Sequence, residues 1–164
     1  MTKRIRRRPV QTPATPVRAA LKAGSALQGM VKDGIGAITD VHRDYFDVAV
    51  RPSFADSLDI DRGLEQGREQ ENRWDYLLGH RPSGRIVGVE PHSAENSEIS
   101  TVIKKRAAAR SQLQDHLRDG ASVSEWFWVA SGKVHLAPME TARFRLAQNG
   151  ITFVGRKILL RHLS

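Results

Sequence analysis

The stretch GRIVGVEPHSAENSEISTVIKKR, residues 84–106, contains the features on which the interpretation of the fold depends. A short apolar run at 85–89 ends on Glu90, and Pro91 and His92 follow before a segment that predicts a helix. A near-continuous apolar run of this length is typical of a strand that is buried on both faces. A carboxylate and an imidazole two residues apart at its end indicate either a solvated strand end or a metal-dependent active site.

Composition limits the classes to which the chain can belong. Its 164 residues fit one domain, long enough to form a hydrophobic core. Cysteine is absent, which excludes disulfides and cysteine-based zinc sites. No apolar run approaches the roughly 20 residues needed to span a bilayer, so no membrane partner is expected. The absence of cysteine and of a secretory signal favours a cytoplasmic location.

The net charge of +8 is distributed unevenly along the chain. Residues 1–32 hold eight lysines and arginines and no acid, whereas 33–164 is balanced. Because the first segment also contains spaced prolines, it predicts a basic flexible arm over 1–32, followed by a single α/β domain over 33–164. Such arms bind phosphate groups or acidic partner proteins. The candidate nucleic-acid contacts in the arm are Arg4, Arg6, Arg7 and Arg8.

The periodicity of apolar residues predicts the order of helices and strands. Helices are expected at 54–74, 93–120 and 139–150, with a short one near 36–46. Strands are expected at 74–78, 85–89 and 151–160, and two more at 124–138 around a turn near Ser131 and Gly132. This order favours a small mixed central sheet flanked by helices. In the strand that contains Trp126 and Trp128, Phe127 should face opposite to both tryptophans.

Two carboxylates should approach each other at one end of this sheet. Asp75 lies in the first short strand and Glu90 ends the next, and the turn at 79–84 would pair the two strands. Mg²⁺ is held by a few carboxylate oxygens and retains waters, and such an ion activates water and stabilises charge on a phosphate. By the two-residue period, His92 should point to the same side as Glu90 and serve as a base, a ligand or a phosphate contact. Asp75, Glu90 and His92 are therefore the catalytic candidates, with Asp75 and Glu90 as metal ligands.

The spacing of Asp75, fourteen intervening residues, and then Glu90-Pro91-His92 resembles the motif of the PD-(D/E)XK nuclease superfamily. The resemblance implies a restriction endonuclease-like core of helix, three strands, helix and strand, and the predicted order is compatible with it over 54–155. It also implies Mg²⁺ or Mn²⁺ as cofactor and nucleic acid as partner, with DNA favoured over RNA. A homodimer and a role in bacterial or phage nucleic-acid processing or defence are further implications.

The sequence departs from that motif at the lysine that positions or activates the attacking water, because His92 stands in its place. Either histidine substitutes, or a cation arrives from elsewhere, or catalysis has been lost. On the helix predicted at 93–120, Arg106 falls on the inward stripe and would either face Glu90 or extend past a shallow core edge to solvent. Lys104 and Lys105 are predicted to face outward or sideways. All three cations are candidate nucleic-acid contacts.

An additional acid from the first helix often joins the active sites of the superfamily. Glu71 lies on the inward stripe of the helix predicted at 54–74, so it is the candidate for that role. The alternative is that Glu71 belongs to a solvated helix face.

Three functions remain open from the sequence. The first is a metal-dependent nuclease-like domain that hydrolyses phosphodiester bonds. The second is the same fold without catalysis, as a subunit that binds nucleic acid or scaffolds a larger complex. The third is a protein-interaction module whose basic arm becomes ordered on a partner.

Overall fold

The computed structural model describes residues 14–164, and a six-stranded sheet forms its centre. The strands are β1 (Lys32–Asp33), β2 (Phe54–Asp59), β3 (Tyr76–His80), β4 (Ile86–Glu95), β5 (Glu125–His135) and β6 (Ile151–Phe153). Their order across the sheet is their order along the chain. Neighbours from β1 to β4 are antiparallel, whereas β4, β5 and β6 run parallel. The predicted α/β class with a mixed central sheet is confirmed.

Short helices and two longer ones surround the sheet. They are α1 (Pro16–Ala20), α2 (Asp40–Arg43), α3 (Ile60–Gly63), α4 (Ile99–Leu113) and α5 (Met139–Gln148), with 3₁₀ turns at Ala26–Met30, Arg51–Ser53, Asn96–Glu98 and Leu160–His162. Because parallel neighbours need a crossover connection, α4 links β4 to β5 and α5 links β5 to β6. Within residues 14–164, no helix has the length and apolar character required to cross a membrane.

The sheet has a separate hydrophobic core on each face. Trp126 and Trp128 pack on the face covered by α4 and α5, and Phe127 packs on the opposite face with Phe46 and Phe54. All five side chains are buried. The alternation predicted for the aromatic strand is confirmed, and it follows from the two-residue period of side chains in a strand.

Strand β4 has different neighbours along its length, and this explains how it continues through a proline. Tyr76, the first residue of β3, pairs with Val89, so within residues 14–164 the strand that pairs with β4 from Glu90 onward is β5 alone. On the β3 side, β4 has no strand partner at Pro91 and therefore needs no backbone N–H donor there. Strands tolerate proline at such edge positions. The strand predicted at 85–89 is present and extends to Glu95.

The segment that follows β1 and precedes β3 differs from the sequence-based prediction. A helix was expected over 54–74, but Phe54–Asp59 is strand β2, and only Ile60–Gly63 is helical. Phe54 to Leu58 are all buried, because β2 lies between β1 and β3 with both faces covered. The prediction was wrong here, because a segment buried on both faces shows no periodicity that separates strand from helix, and the helical spacing after it continues only to Gly63.

Three other predicted elements need adjustment. The helix expected over 93–120 is shorter, because the chain stays in β4 until Glu95 and α4 spans Ile99–Leu113. The turn expected near Ser131 and Gly132 is absent, since β5 runs unbroken through both residues. The helix expected at 139–150 is present as α5, and the final strand is limited to Ile151–Phe153.

Part of the segment assigned to the basic arm belongs to the packed domain. Val17 and Leu21 are completely or almost completely buried, and Leu27 joins the same core. The buried Asp56 carboxylate accepts hydrogen bonds from the backbone N–H groups of Val17 at 3.2 Å and Arg18 at 3.0 Å. The packed unit therefore begins before residue 33. The candidate contacts Arg4, Arg6, Arg7 and Arg8 lie outside the described residues.

Candidate active site

The pairing of β3 with β4 places the backbone of Asp75 beside the side chain of Glu90. Tyr76 pairs with Val89, so Asp75 lies opposite Glu90 at the end of the antiparallel ladder. The Asp75 N–H donates a hydrogen bond to Oε2 of Glu90 over 2.8 Å. The structure thus brings together the two acids that the sequence nominated, because the short turn between the strands fixes their register.

Glu90 is completely buried, and a cation reaches it from the helix above. The Lys105 ammonium group on α4 pairs with Oε1 of Glu90. The same oxygen lies 3.6 Å from Nδ1 of His92. A buried carboxylate is strongly destabilising unless it is paired and hydrogen-bonded, and Glu90 meets both conditions through Lys105 and the Asp75 amide.

Asp75 is in a different electrostatic situation, although it lies next to Glu90. Burial first, and the neighbouring Glu90 charge second, raise the pKa of Asp75 to about 8. Lys105 opposes this increase, whereas Asp61 and Asp59 add to it. Within residues 14–164, no group donates a hydrogen bond to the Asp75 carboxyl oxygens. The carboxyl group of Asp75 is therefore the one in the cluster that lacks a compensating partner.

His92 bridges two carboxylates on the same side of β4 as Glu90. Its Nε2 lies 2.8 Å from Oε2 of Glu98, while Nδ1 faces Glu90. The indole N–H of Trp128 donates to the His92 carbonyl oxygen over 3.1 Å and holds the strand at this point. The hydrogen bond to Glu90, and then that to Glu98, raise the pKa of His92 against the opposing effect of burial. These contacts favour a protonated imidazole between two acids.

Further polar groups interact electrostatically with the cluster, although the Tyr76 side chain packs on the opposite face of the sheet. The His42 ring nitrogen Nδ1 lies 2.7 Å from the Tyr76 hydroxyl, which also lies 3.2 Å from the Thr39 hydroxyl. Burial lowers the pKa of His42 although Glu90 and Asp59 attract its protonated form. Burial likewise raises the pKa of Asp59. Sequence reasoning missed His42 and Asp59, because neither is close in the chain to the motif at 75–92.

The cation beside Glu90 is Lys105 and not Arg106. Arg106 does lie on the inward side of α4, as the helical periodicity predicts, but its guanidinium stands over the Trp126 ring at 5.7 Å from the ring centroid. Lys105 flanks that stripe, and its long side chain extends to β4. The prediction that Lys105 faces outward or sideways did not identify this contact, because a helical wheel gives the angle around the axis but not which strand residue lies within reach of the side chain.

The remaining candidates lie apart from the cluster. Glu71 is not on a helix; it follows α3 in an irregular segment, where its carboxylate accepts a hydrogen bond from Gln112 over 3.1 Å and lies 3.6 Å from Arg68. The helical position on which its role depended does not exist. Lys104 is exposed, on the solvent side of α4. Lys105 is engaged with Glu90, so its ammonium is not a free surface cation in this arrangement.

A divalent cation in a protein takes its oxygen ligands from carboxylates, carbonyl groups and water. Within residues 14–164, no group of three or more histidine or acidic side chains is arranged to hold a metal ion. A site here would rest on the Asp75 and Glu90 carboxylates alone. One or two carboxylates suffice for Mg²⁺, which keeps several waters and takes further ligands from a substrate phosphate. Of this pair, both oxygens of Glu90 are engaged by the Asp75 amide and Lys105, so the Asp75 carboxyl group is the one whose oxygens accept no hydrogen bond within residues 14–164.

Comparisons with protein-family models, with curated proteins and with solved structures found no match. The cluster combines the carboxyl groups of Asp75 and Glu90, the Lys105 ammonium group, and the His92 imidazole, whose pKa is raised by its contacts with Glu90 and Glu98. Groups of this kind bind phosphate oxygens, orient a water molecule and transfer protons.

Proposed function

We propose that this chain is a metal-dependent nuclease-like domain that hydrolyses phosphodiester bonds in nucleic acid, with DNA favoured over RNA. The observation that carries the proposal is the cluster of Asp75, Glu90 and Lys105, in which the acid that precedes β3 and an acid within β4 lie beside a lysine from the following helix. The succession of antiparallel β2, β3 and β4, then α4, then the parallel strand β5 supports a restriction endonuclease-like core. The sequence-based order had two strands, at 74–78 and 85–89, before the helix at 93–120, and β2 adds a third.

Asp75 and Glu90 are proposed to hold Mg²⁺ or Mn²⁺. When bound, such an ion lowers the pKa of water and offsets negative charge on the phosphate. The two acids differ in what they need for this role. Asp75 must lose the proton that burial and Glu90 favour, and Glu90 must share an oxygen that contacts Lys105. Metal affinity should therefore rise with pH and depend on both residues.

Lys105 is proposed to supply the cation that the motif lacks at His92. Its ammonium group would balance the charge of Glu90 and hold a water molecule or a phosphate oxygen next to it. Hydrolysis forms one P–O bond from water and breaks another, so one proton leaves the water and one reaches the departing oxygen. His92, which lies between Glu90 and Glu98, is positioned to hold and move a proton at Nδ1 or Nε2.

A second candidate is the same fold without catalysis, as a nucleic-acid-binding or scaffolding subunit. The observation that favours it is the state of Glu90, which is completely buried with its oxygens engaged by the Asp75 amide and Lys105. An acid neutralised in this way can be a structural element. The two candidates share their architecture and differ only in whether Asp75 and Glu90 bind a metal ion.

A nuclease assay distinguishes them. Plasmid DNA and a structured RNA are incubated with the full chain and Mg²⁺ or Mn²⁺, and the D75N and E90Q variants are compared with E140Q, which changes an exposed acid on α5. The nuclease proposal expects cleavage by the wild type and by E140Q, and loss of at least about 100-fold in D75N, as expected when a group that stabilises the transition state is removed. Thermal unfolding of each variant shows that the loss is not one of folding. Absence of cleavage by folded wild type on both substrates would favour the non-catalytic subunit.

A further inference from the structure

A groove of about 750 Å³ lies at the C-terminal end of α4, apart from the acidic cluster. It is bounded by the second half of α4, by the segment 117–123 and by the Trp126 ring. None of Asp75, Glu90, His92 and Lys105 lines it. Its volume is in the range of sites that bind small molecules.

Three arginines line this groove, and their charges are not balanced. Arg106, Arg110 and Arg118 face a single carboxylate, that of Asp119. Among the ion pairs of residues 14–164, none involves these four side chains. Arg106 and Arg110 are one turn apart on α4, an arrangement in which like charges repel. Burial, and then the charge of Arg110, lower the pKa of Arg106.

Two of the three guanidinium groups are fixed in position while retaining unused donors. Nε of Arg106 is buried and has no hydrogen-bond partner among the described residues, and its guanidinium is held over Trp126. Arg118 uses Nε to donate to the Leu21 carbonyl oxygen over 2.9 Å, and its terminal nitrogens make no hydrogen bond within 14–164. Buried donors are nearly always paired in native proteins, so the unpaired Nε of Arg106 is unusual; because that atom is enclosed, the terminal nitrogens of Arg118 are the donors that remain available to an anion in the groove.

We propose that this groove binds a phosphate group through Arg106, Arg110 and Arg118. Guanidinium forks match the oxygens of a phosphate bidentately, and one phosphate offers enough acceptors for several arginines at once. The phosphate belongs either to a nucleic-acid backbone or to a small phosphorylated molecule. The site does not depend on the proposed nuclease activity, because it shares no side chain with the acidic cluster.

The test uses the full chain in EDTA and at low ionic strength, so that hydrolysis does not interfere. Inorganic pyrophosphate and a short single-stranded oligonucleotide are titrated by calorimetry, with tryptophan fluorescence as a local signal from Trp126. Arg110 is exposed and makes no hydrogen bond to the described residues, so R110Q should leave the fold intact. The matched control is K133Q, which removes one positive charge at an exposed position of β5.

R110Q should weaken binding at least about tenfold relative to K133Q, since a charge-assisted hydrogen bond is lost. A loss for both ligands indicates a site for small phosphorylated molecules. If R110Q weakens binding of the oligonucleotide alone, the groove binds the backbone phosphates of nucleic acid. Equal affinities of R110Q and K133Q for both ligands, or no binding to the wild type, would overturn the proposal. Thermal unfolding of R110Q confirms that the variant is folded.

Discussion

Lys105 on α4 is the ion-pair partner of Glu90, an acid on β4 whose side chain has no exposure to solvent. The lysine side chain itself is 17% exposed, so its ammonium group reaches inward from the edge of the helix. This contact ties the crossover helix to the strand beneath it. It also places a cation beside Glu90, one of the two acids on which the proposed activity depends.

Removing this cation should destabilise the fold. In K105M the Glu90 carboxylate keeps the Asp75 amide but loses its counterion, and breaking a buried pair on one side costs about 3–5 kcal/mol. The free energy of unfolding from urea denaturation measures the loss. K104M, which changes the exposed neighbour on the same helix, should be close to wild type.

The double variant E90Q/K105M completes this test. If the two side chains are coupled as described, the double variant is less destabilised than the sum of the single variants. Strict additivity would mean that the pair contributes nothing to stability. Circular dichroism before unfolding establishes that each variant is folded.

The raised pKa of Asp75 predicts a specific dependence of stability on pH. Because the folded-state pKa is about 8 against 3.8 in the unfolded chain, the folded state binds the extra proton between these values. The stability that protonated Asp75 contributes is fully present below pH 3.8, and it is lost as pH rises through the folded-state pKa of about 8. In EDTA, the unfolding free energy of the wild type should therefore fall relative to D75N, by at most about 1.4 kcal/mol per pH unit.

An exposed acid provides the control for this pH dependence. D44N changes a solvent-exposed carboxylate after α2, and its stability should follow that of the wild type over the whole range. A constant difference between wild type and D75N from pH 4 to pH 8 would contradict the predicted protonation of Asp75.

The bridge between Glu90, His92 and Glu98 predicts an imidazole that titrates above its ordinary value. Glu90 is the larger cause of this raised pKa, so E98Q should lower the pKa of His92 without abolishing the shift. The stabilisation from this bridge is present below pH 6.5 and is lost as pH rises through the folded-state value. NMR titration of the histidine ring protons measures the change, with H92Q to identify the signal. E95Q, at an exposed acid nearby, should leave the titration unchanged.

The close approach of Gly88 to two tryptophans predicts that a single methyl group is not tolerated there. A Cβ atom at Gly88 would lie 2.6 Å from the Trp126 ring and 3.1 Å from Nε1 of Trp74. Overpacking of this kind costs about 1–3 kcal/mol. Chemical denaturation of G88A measures it against G132A, a strand glycine in β5 with no atom within 4 Å of the added carbon. Equal stability of the two variants would show that the core under α4 can rearrange to accommodate the added methyl group.

Local patterns in the sequence were sufficient for several parts of the fold. The apolar run at 85–89 identified the start of β4, the alternation around Phe127 assigned the two faces of β5, and the two-residue period placed His92 on the side of Glu90. Strand β2 was missed because a segment buried on both faces shows no periodicity that separates strand from helix. Glu71 was misplaced because its assignment relied on a helix continuing past Gly63, where the chain is instead irregular.

The sequence by itself determined the class of the fold, the hairpin that brings Asp75 beside Glu90, and the uneven distribution of charge. These features depend on residues close in the chain and on fixed backbone periods. Only the tertiary structure decided which cation meets Glu90 and which meets Trp126, because that choice depends on how α4 lies across β4 and β5. A rotation of one residue about the helix axis separates Lys105 from Arg106, and only packing against the sheet sets that rotation.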